Sequence, residues 1–483
     1  MLFNTFDFTF VFLPIVLIVY FILNKYCPVI VGRLFLIVSS LYFYTYYHME
    51  FLLLVTASIM VNYILGIYIG KNKSKSLLTT GIIFNIAVLG YFKYVDFFIT
   101  NVNWITGSNY NLLYIALPLG ISFITFQQIA YLVDIYRNEV PDTKLSSYIL
   151  FITFFPQLIA GPIVKHKDVM NDIESAESKH FNTENFSKGL LVFLIGLTKK
   201  VVIADTIALY VSAGYTGYES LSFTEAWFVA VGYTIQLYFD FSGYSDMAIG
   251  LALMFNINLP MNFNSPLKSR NITEFWQRWH MTLNRFFTYY VYIPLGGSRK
   301  GEIITYVNLF IIFFISGFWH GAGWSFIIWG VMHGLASIIL RLYKKYIPLQ
   351  LPFVVSWLMT FIFVVVAFVY FRATSVEQGT TIIKKMFMID LISVKQFLLQ
   401  PSQIFQGLNT YKILDVPLNT PWLVILIFVI ALSLILFSRN SMQWMQKFKF
   451  NWFYIVYINA LTLVILLTIY FIEKNSEFIY FNF

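Results

Sequence analysis

The chain has 483 residues, 59% of them hydrophobic and 11% charged, with a formal net charge of +9. A soluble domain is about half apolar and about a quarter charged, so this composition excludes an ordinary soluble protein and predicts an all-α, polytopic membrane protein. The lone cysteine, Cys27, excludes an internal disulfide and a cysteine-built metal cluster.

In chain order, apolar runs long enough to cross a bilayer, which takes about 20 residues, fall at residues 8–23, 29–47, 51–69, 78–98 and 113–132. Further runs fall at 189–212, 223–239, 303–319, 324–340, 352–371, 421–437 and 452–471. No Lys or Arg precedes the first run and no small-residue cleavage site follows it, so it is expected to remain as an anchor. The stretches 148–164 and 241–257 carry Gly, Pro or charge. They predict re-entrant or broken helices, which survive at membrane depth only when buried in protein or lining a cavity. No polar segment is long enough to fold alone, so one membrane domain spanning residues 1–483 is expected.

The basic excess follows the loops. Lys25, then Lys71, Lys73 and Lys75, then Arg137 and Lys144 mark alternate loops as cytoplasmic, as do Arg341, Lys344 and Lys345, and later Arg439, Lys447 and Lys449. The charge therefore reads as topology, and no nucleic-acid partner is expected. Both termini are predicted outside, as is the connection over residues 372–420, although Lys384 and Lys385 run against it. Residues 258–300 carry Lys268, Arg270, Arg278, Arg285, Arg299 and Lys300 against one acid, Glu274. That segment is predicted cytoplasmic.

The titratable groups concentrate in one region. Asn271 precedes Glu274 by three residues, as in a capping box, and predicts a helix from Ile272. On that helix Glu274 and Arg278 are four apart and can pair. Trp276 and His280 would share a face, and Phe275, Trp279 and Leu283 the neighbouring one, the spacing of a helix lying at the membrane surface. Arg278, Arg285 and Lys268 could meet the phosphates of an anionic cytosolic donor. Residues 318–324, F-W-H-G-A-G-W, set His320 between Trp319 and Gly321 at the tip of an apolar hairpin. An ionisable side chain inside a membrane is a functional candidate by default. A neutral imidazole there can take a proton from a hydroxyl nucleophile, a step worth roughly 10²–10⁴ in rate. A buried structural histidine held by a carbonyl is the plainer reading.

Zinc needs about three protein ligands. His320 and His333 stand thirteen apart with no Cys or acid between them, so no metal is expected. Asp240 and Asp246 are predicted at a span end, pairing with basic residues of the cytoplasmic segment or capping a short helix. Residues 243–247, G-Y-S-D-M, lack the second glycine of a nucleophile elbow.

Seven motifs in order carry a family resemblance: F-P-Q-L-I-A-G-P-I (155–163), D-F-S-G-Y-S-D-M-A-I-G (240–250), E-F-W-Q-R-W-H (274–280), Y-I-P-L-G-G (292–297), F-W-H-G-A-G-W (318–324), W-G-V-M-H-G (329–334) and F-R-A (371–373). The chain resembles the membrane-bound O-acyltransferase (MBOAT) family, in the bacterial branch that O-acetylates alginate and peptidoglycan. The resemblance implies a ring of tilted helices around a thin core, with re-entrant helices and a funnel from each face meeting at the active histidine. That histidine corresponds to His320, and the second family histidine to His280. The resemblance also implies acetyl-CoA as donor, a periplasmic O-acetyltransferase partner, a cell-envelope polysaccharide as acceptor and a place in the bacterial inner membrane. Arg278, Glu274, Trp276, Asp246 and Trp319 are then the candidates for shaping the donor pocket. A transporter, which would move a solute without consuming acetyl-CoA, or a scaffold that recruits a periplasmic enzyme through residues 372–420, is the alternative of another class; the scaffold predicts that His320 is replaceable.

Overall fold

The structure, a computed structural model, describes residues 1–140, 144–175, 179–399, 403–413, 416–471 and 478–479. The helices are α1 (Leu13–Tyr26), α2 (Val29–Thr45), α3 (Phe51–Asn72), α4 (Lys75–Thr106), α5 (Ile121–Tyr136), α6 (Leu145–Thr153), α7 (Phe155–Leu158), α8 (His166–Glu174), α9 (Thr183–Thr198), α10 (Asp205–Thr216) and α11 (Phe223–Met254). They continue with α12 (Ile272–Arg278), α13 (Met281–Phe287), α14 (Glu302–His320), α15 (Trp324–Tyr346), α16 (Phe353–Arg372), α17 (Val376–Phe387), α18 (Leu391–Leu399), α19 (Pro421–Phe437), α20 (Ser441–Gln446) and α21 (Trp452–Phe471). Among the described residues the only strands are two residues each, Lys412–Ile413 and Val416–Pro417. Among the described residues six helical stretches are long and apolar enough to cross a membrane: Asp7–Tyr26, α3, α4, α14, α15 and α16. The protein is all-α and polytopic.

The chain divides into two compact units. The first holds Met1–Phe193 and Tyr244–Met261. Its helices α3, α4 and α5 are joined by polar side chains, which link helices where lipid gives no hydrophobic drive between them. Asn62 on α3 exchanges amide hydrogen bonds with Asn85 on α4 at 3.2 and 2.6 Å, and donates to Gln128 on α5 at 3.1 Å. Ser58 adds a bond to the same Gln128 oxygen at 3.0 Å. α6 and α7 form the broken pair expected of 148–164, and Tyr148–Val164 is buried apart from one half-buried residue. The run at 113–132 is helical only from Ile121, after Pro118 and a left-handed Gly120. Upstream, the Asp96 carboxylate takes the backbone N–H groups of Leu113 and Tyr114 at 2.7 and 2.9 Å.

The second unit holds Leu194–Gly243 and Asn262–Ile479. The expected break near Asp240 is absent: α11 runs 32 residues without interruption. Gly243 serves close packing, since a Cβ there would lie 2.7 Å from the Gly196 carbonyl. Asp240 and Asp246 are therefore mid-helix and cap nothing. Nor does Asp240 pair with the 258–300 segment. Its carboxylate takes the Lys200 ammonium at 2.7 Å, which also binds Asp205 at 2.8 Å. The three sit almost wholly out of solvent, where a charge persists only if answered.

Candidate active site

The hairpin of α14 and α15 carries the first histidine. Its arms touch through glycine. A Cβ on Gly317 would lie 2.5 Å from the Phe326 carbonyl, and one on Gly330 would collide with the Phe313 carbonyl. Residues 321–323 make the turn, closed by the Gly323 N–H on the Gly321 carbonyl at 3.0 Å. His320 is the last residue of α14 and is 3% exposed. Its imidazole packs against Trp319 at 4.8 Å between ring centroids, Trp329 at 5.0 Å and Phe371 of α16 at 5.1 Å.

The second histidine arrives by a different route. The predicted helix does start at Ile272, with the Asn271 side chain accepting the Glu274 N–H at 3.0 Å. It does not reach His280. It ends at Arg278, Trp279 is extended, and His280 itself is left-handed at φ 44°, before α13 begins at Met281. Trp276 and His280 therefore do not share a helical face, and Phe275, Trp279 and Leu283 are core residues rather than a surface stripe. Phe275 and Trp279 still stack, with ring centroids 5.5 Å apart.

Asn262 explains the break. Its side-chain oxygen accepts from the Thr282 N–H at 3.2 Å and the Thr282 hydroxyl at 3.0 Å, and its carbonyl takes the Met281 N–H at 2.9 Å. The same side-chain oxygen lies 3.2 Å from His280 Nδ1. An oxygen that already takes the Thr282 N–H can only accept, so the His280 proton sits on Nδ1 and the lone pair on Nε2. His280 is fully buried. Burial pushes its imidazole down to about 3, so it stays neutral at ordinary pH. Its ring lies 6.3 Å from Trp319, the residue that also contacts His320.

A third histidine joins through the tryptophans. Trp276 donates its indole N–H to His333 Nδ1 at 3.2 Å. An indole has nothing but a donor to offer, so neutral His333 carries its proton on Nε2. Trp329 packs against both His333, at 4.9 Å, and His320, at 5.0 Å. Two buried N–H groups in this cluster, His333 Nε2 and Trp329 Nε1, have no hydrogen-bond partner among the described residues. Such donors are costly when idle and are suited to a reacting carbonyl oxygen.

A cavity of about 420 Å³ adjoins the cluster. Trp276, Gln277, Asn284 and Ser316 give it polar wall, Leu283, Leu309, Ile312 and Phe313 its apolar wall, and Arg341 and Lys344 its charge. Ser316 lies one helical turn before His320. Of the residues singled out in the sequence for the donor pocket, Trp276 lines this cavity and Trp319 lies between the histidines. Glu274 and Arg278 pair with each other at 2.9 Å, and Arg278 also reaches the Asn264 carbonyl at 3.3 Å. Lys268 donates to the Ser438 carbonyl at 2.9 Å. These basic groups brace the segment and do not line the cavity. Asp246 is buried in the first unit. Asn262, Trp329, Phe371 and the Arg341–Lys344 pair were not singled out as parts of the site from sequence. Trp329 and Phe371 lie inside motifs already marked; Asn262 carries no local pattern.

Three buried histidines thus meet tryptophans beside a cavity whose lining includes Arg341 and Lys344, a candidate site within a membrane protein. The model of the membrane-bound O-acyltransferase family matches residues 36–379, and the chain belongs to that family: it is an acyltransferase. It is 41% identical to a peptidoglycan O-acetyltransferase of Helicobacter pylori over 100% of this chain and 98% of that protein. It is 38% identical to a probable alginate O-acetylase, AlgI, of Pseudomonas aeruginosa over 80% of this chain and 75% of the other. A teichoic acid D-alanyltransferase of Bacillus subtilis is 28% identical over 47% of this chain and 60% of that one.

Proposed function

We propose that the protein takes an acetyl group from cytosolic acetyl-CoA and passes it across the bacterial inner membrane for O-acetylation of a cell-envelope polysaccharide, with peptidoglycan as the acceptor polymer. Both termini face the periplasm in this reading, and a periplasmic O-acetyltransferase partner receives the acetyl group. The observation that carries it is the position of His320, buried one helical turn from Ser316, which lines a cavity with Arg341 and Lys344, neither of them ion-paired among the described residues. Arg341 meets the donor's phosphates. The pantetheine arm lies along Leu309, Ile312 and Leu283, and its thioester reaches the cage. Likeness to the H. pylori enzyme over nearly the full length of both chains supports peptidoglycan; alginate or another exopolysaccharide is the second reading, supported by the P. aeruginosa relative.

In this mechanism His320 removes the proton from the acceptor hydroxyl as its oxygen attacks the thioester carbonyl. The carbon–sulfur bond then breaks, and the CoA thiolate takes the proton that His320 removed and leaves as the thiol. His333 Nε2 and Trp329 Nε1 donate to the oxyanion of the tetrahedral intermediate. His280, with its lone pair on Nε2, handles the proton on the donor side. The test is mass spectrometry of muropeptides from cells carrying wild type or His320→Ala at equal protein level. Loss of O-acetyl groups is expected. Unchanged acetylation refutes the role of His320, and an acetyl change confined to secreted exopolysaccharide moves the acceptor to the second reading.

A further inference from the structure

A second and larger cavity lies in the same unit, between α15 and α16. Its volume is about 950 Å³. Met332, Leu335, Ile339, Met359 and Phe363 form its wall, and the loop after α15 closes one end. The Tyr343 hydroxyl donates to the Leu349 carbonyl at 2.5 Å and folds that loop back on the helix. Leu335, Ile339 and Met359 are 47%, 63% and 59% exposed. Both helices are long and apolar enough to cross a membrane, and within a bilayer the medium these side chains meet is hydrocarbon rather than water.

Length and charge specify the occupant. From Met332 to Lys344 the groove follows twelve residues of helix, about 18 Å at 1.5 Å per residue. A leaflet is about 15 Å of hydrocarbon, half of a ~30 Å core. The groove thus spans one leaflet and stops. Its polar end carries two cations, Arg270 and Lys344. The Arg270 guanidinium lies 4.7 Å over the Phe353 ring, which fixes it at that end. Neither cation is paired with a carboxylate among the described residues. Glu274 spends its own on Arg278 and on the Arg270 backbone N–H.

We propose that this groove binds one anionic phospholipid, with its headgroup phosphate against Arg270 and Lys344 and an acyl chain along α15 and α16. A soluble phosphate has no use for the apolar length, and a neutral lipid none for the two cations. The site is separate from the acyl-transfer cavity and shares only Leu340 and Lys344 with it.

The experiment uses the full chain purified in mild detergent, stripped of lipid, and titrated with dioleoylphosphatidylglycerol or dioleoylphosphatidylcholine under native mass spectrometry. One phosphatidylglycerol per chain is expected, held several-fold more tightly than phosphatidylcholine. Arg270→Ala weakens it about fivefold, the weight of one basic side chain at a membrane surface. Ala336→Trp fills the groove and abolishes retention, and Met359→Trp does so from the opposite wall should the first variant lose its wild-type melting temperature. Equal retention of both lipids, or retention that survives both tryptophan variants, overturns the proposal. So does a dimer that the tryptophan variants turn into monomer, which assigns the groove to a second copy of the chain.

Discussion

Trp276 and His333 are locked by a single buried hydrogen bond, indole N–H to Nδ1 at 3.2 Å. Trp276→Phe keeps most of the ring and removes the donor. The buried acceptor it leaves costs about 1–3 kcal/mol, read as a lowered melting temperature by circular dichroism. His333→Phe in the same chain removes the stranded acceptor and recovers part of that loss. Additive effects of the two changes mean the bond contributes nothing.

Acyl transfer should depend on His280 through its tautomer. His280→Gln lowers turnover by about 10²–10⁴, the range for a positioned proton-transfer group. Asn262→Ala leaves the imidazole in place but frees its orientation, and a smaller loss is expected. Acetyl-CoA consumption by purified protein measures both. Wild-type rates in both variants remove His280 from the proton path.

Acid should destabilise the protein in a defined window. An unfolded histidine titrates near 6.5, whereas burial pushes His280 down to about 3 and His166 to about 4. Between these values the unfolded chain binds protons that the folded chain refuses. Stability is therefore complete above pH 6.5 and falls as pH drops towards 3. Melting temperatures across this range show the slope, and His280→Gln makes it shallower. Identical slopes would mean that His280 is protonated in the fold.

Lys200 answers two carboxylates in a buried place. Lys200→Met removes the buried cation facing Asp240 and costs about 3–5 kcal/mol. Lys200→Met with Asp240→Leu restores part of the melting temperature. A single variant as stable as wild type would show that the cluster is solvated.

Gly317 and Gly330 set the spacing of the hairpin. Alanine at either position presses on the carbonyl of the facing arm, for a cost of about 1–3 kcal/mol, and moves His320 relative to the cage. Transfer activity drops in both. Gly90→Ala is the control: its Cβ would meet nothing within 4 Å. Equal activity in all three removes the interlock from the mechanism.

Much of this was legible in sequence because it is local. The Asn271 cap, the Glu274–Arg278 pair and the hairpin around His320 depend on residues three or four apart, or on turns marked by glycine. What sequence misread was decided by distant partners. The α12 helix stops at Arg278 because Asn262, sixteen residues before it, organises His280, Met281 and Thr282. α11 passes through Asp240 unbroken because Lys200, forty residues upstream, neutralises the acid. Helical periodicity continued through both points, and nothing nearby opposed it. The cations of the candidate cavity were missed for a related reason: Arg341 and Lys344 look like ordinary loop-flanking charges until α15 folds back on α14.

The glycine contacts between the hairpin arms have a bearing on how substrate range could evolve or be redesigned. In the proposed mechanism, arms keyed carbonyl to backbone hold the imidazole at the tip as a stationary anvil. Discrimination by acyl length then falls to the corridor leading to it. Trimming Leu309 or Ile312 should admit a longer chain, such as propionyl or butyryl, without disturbing the anvil itself.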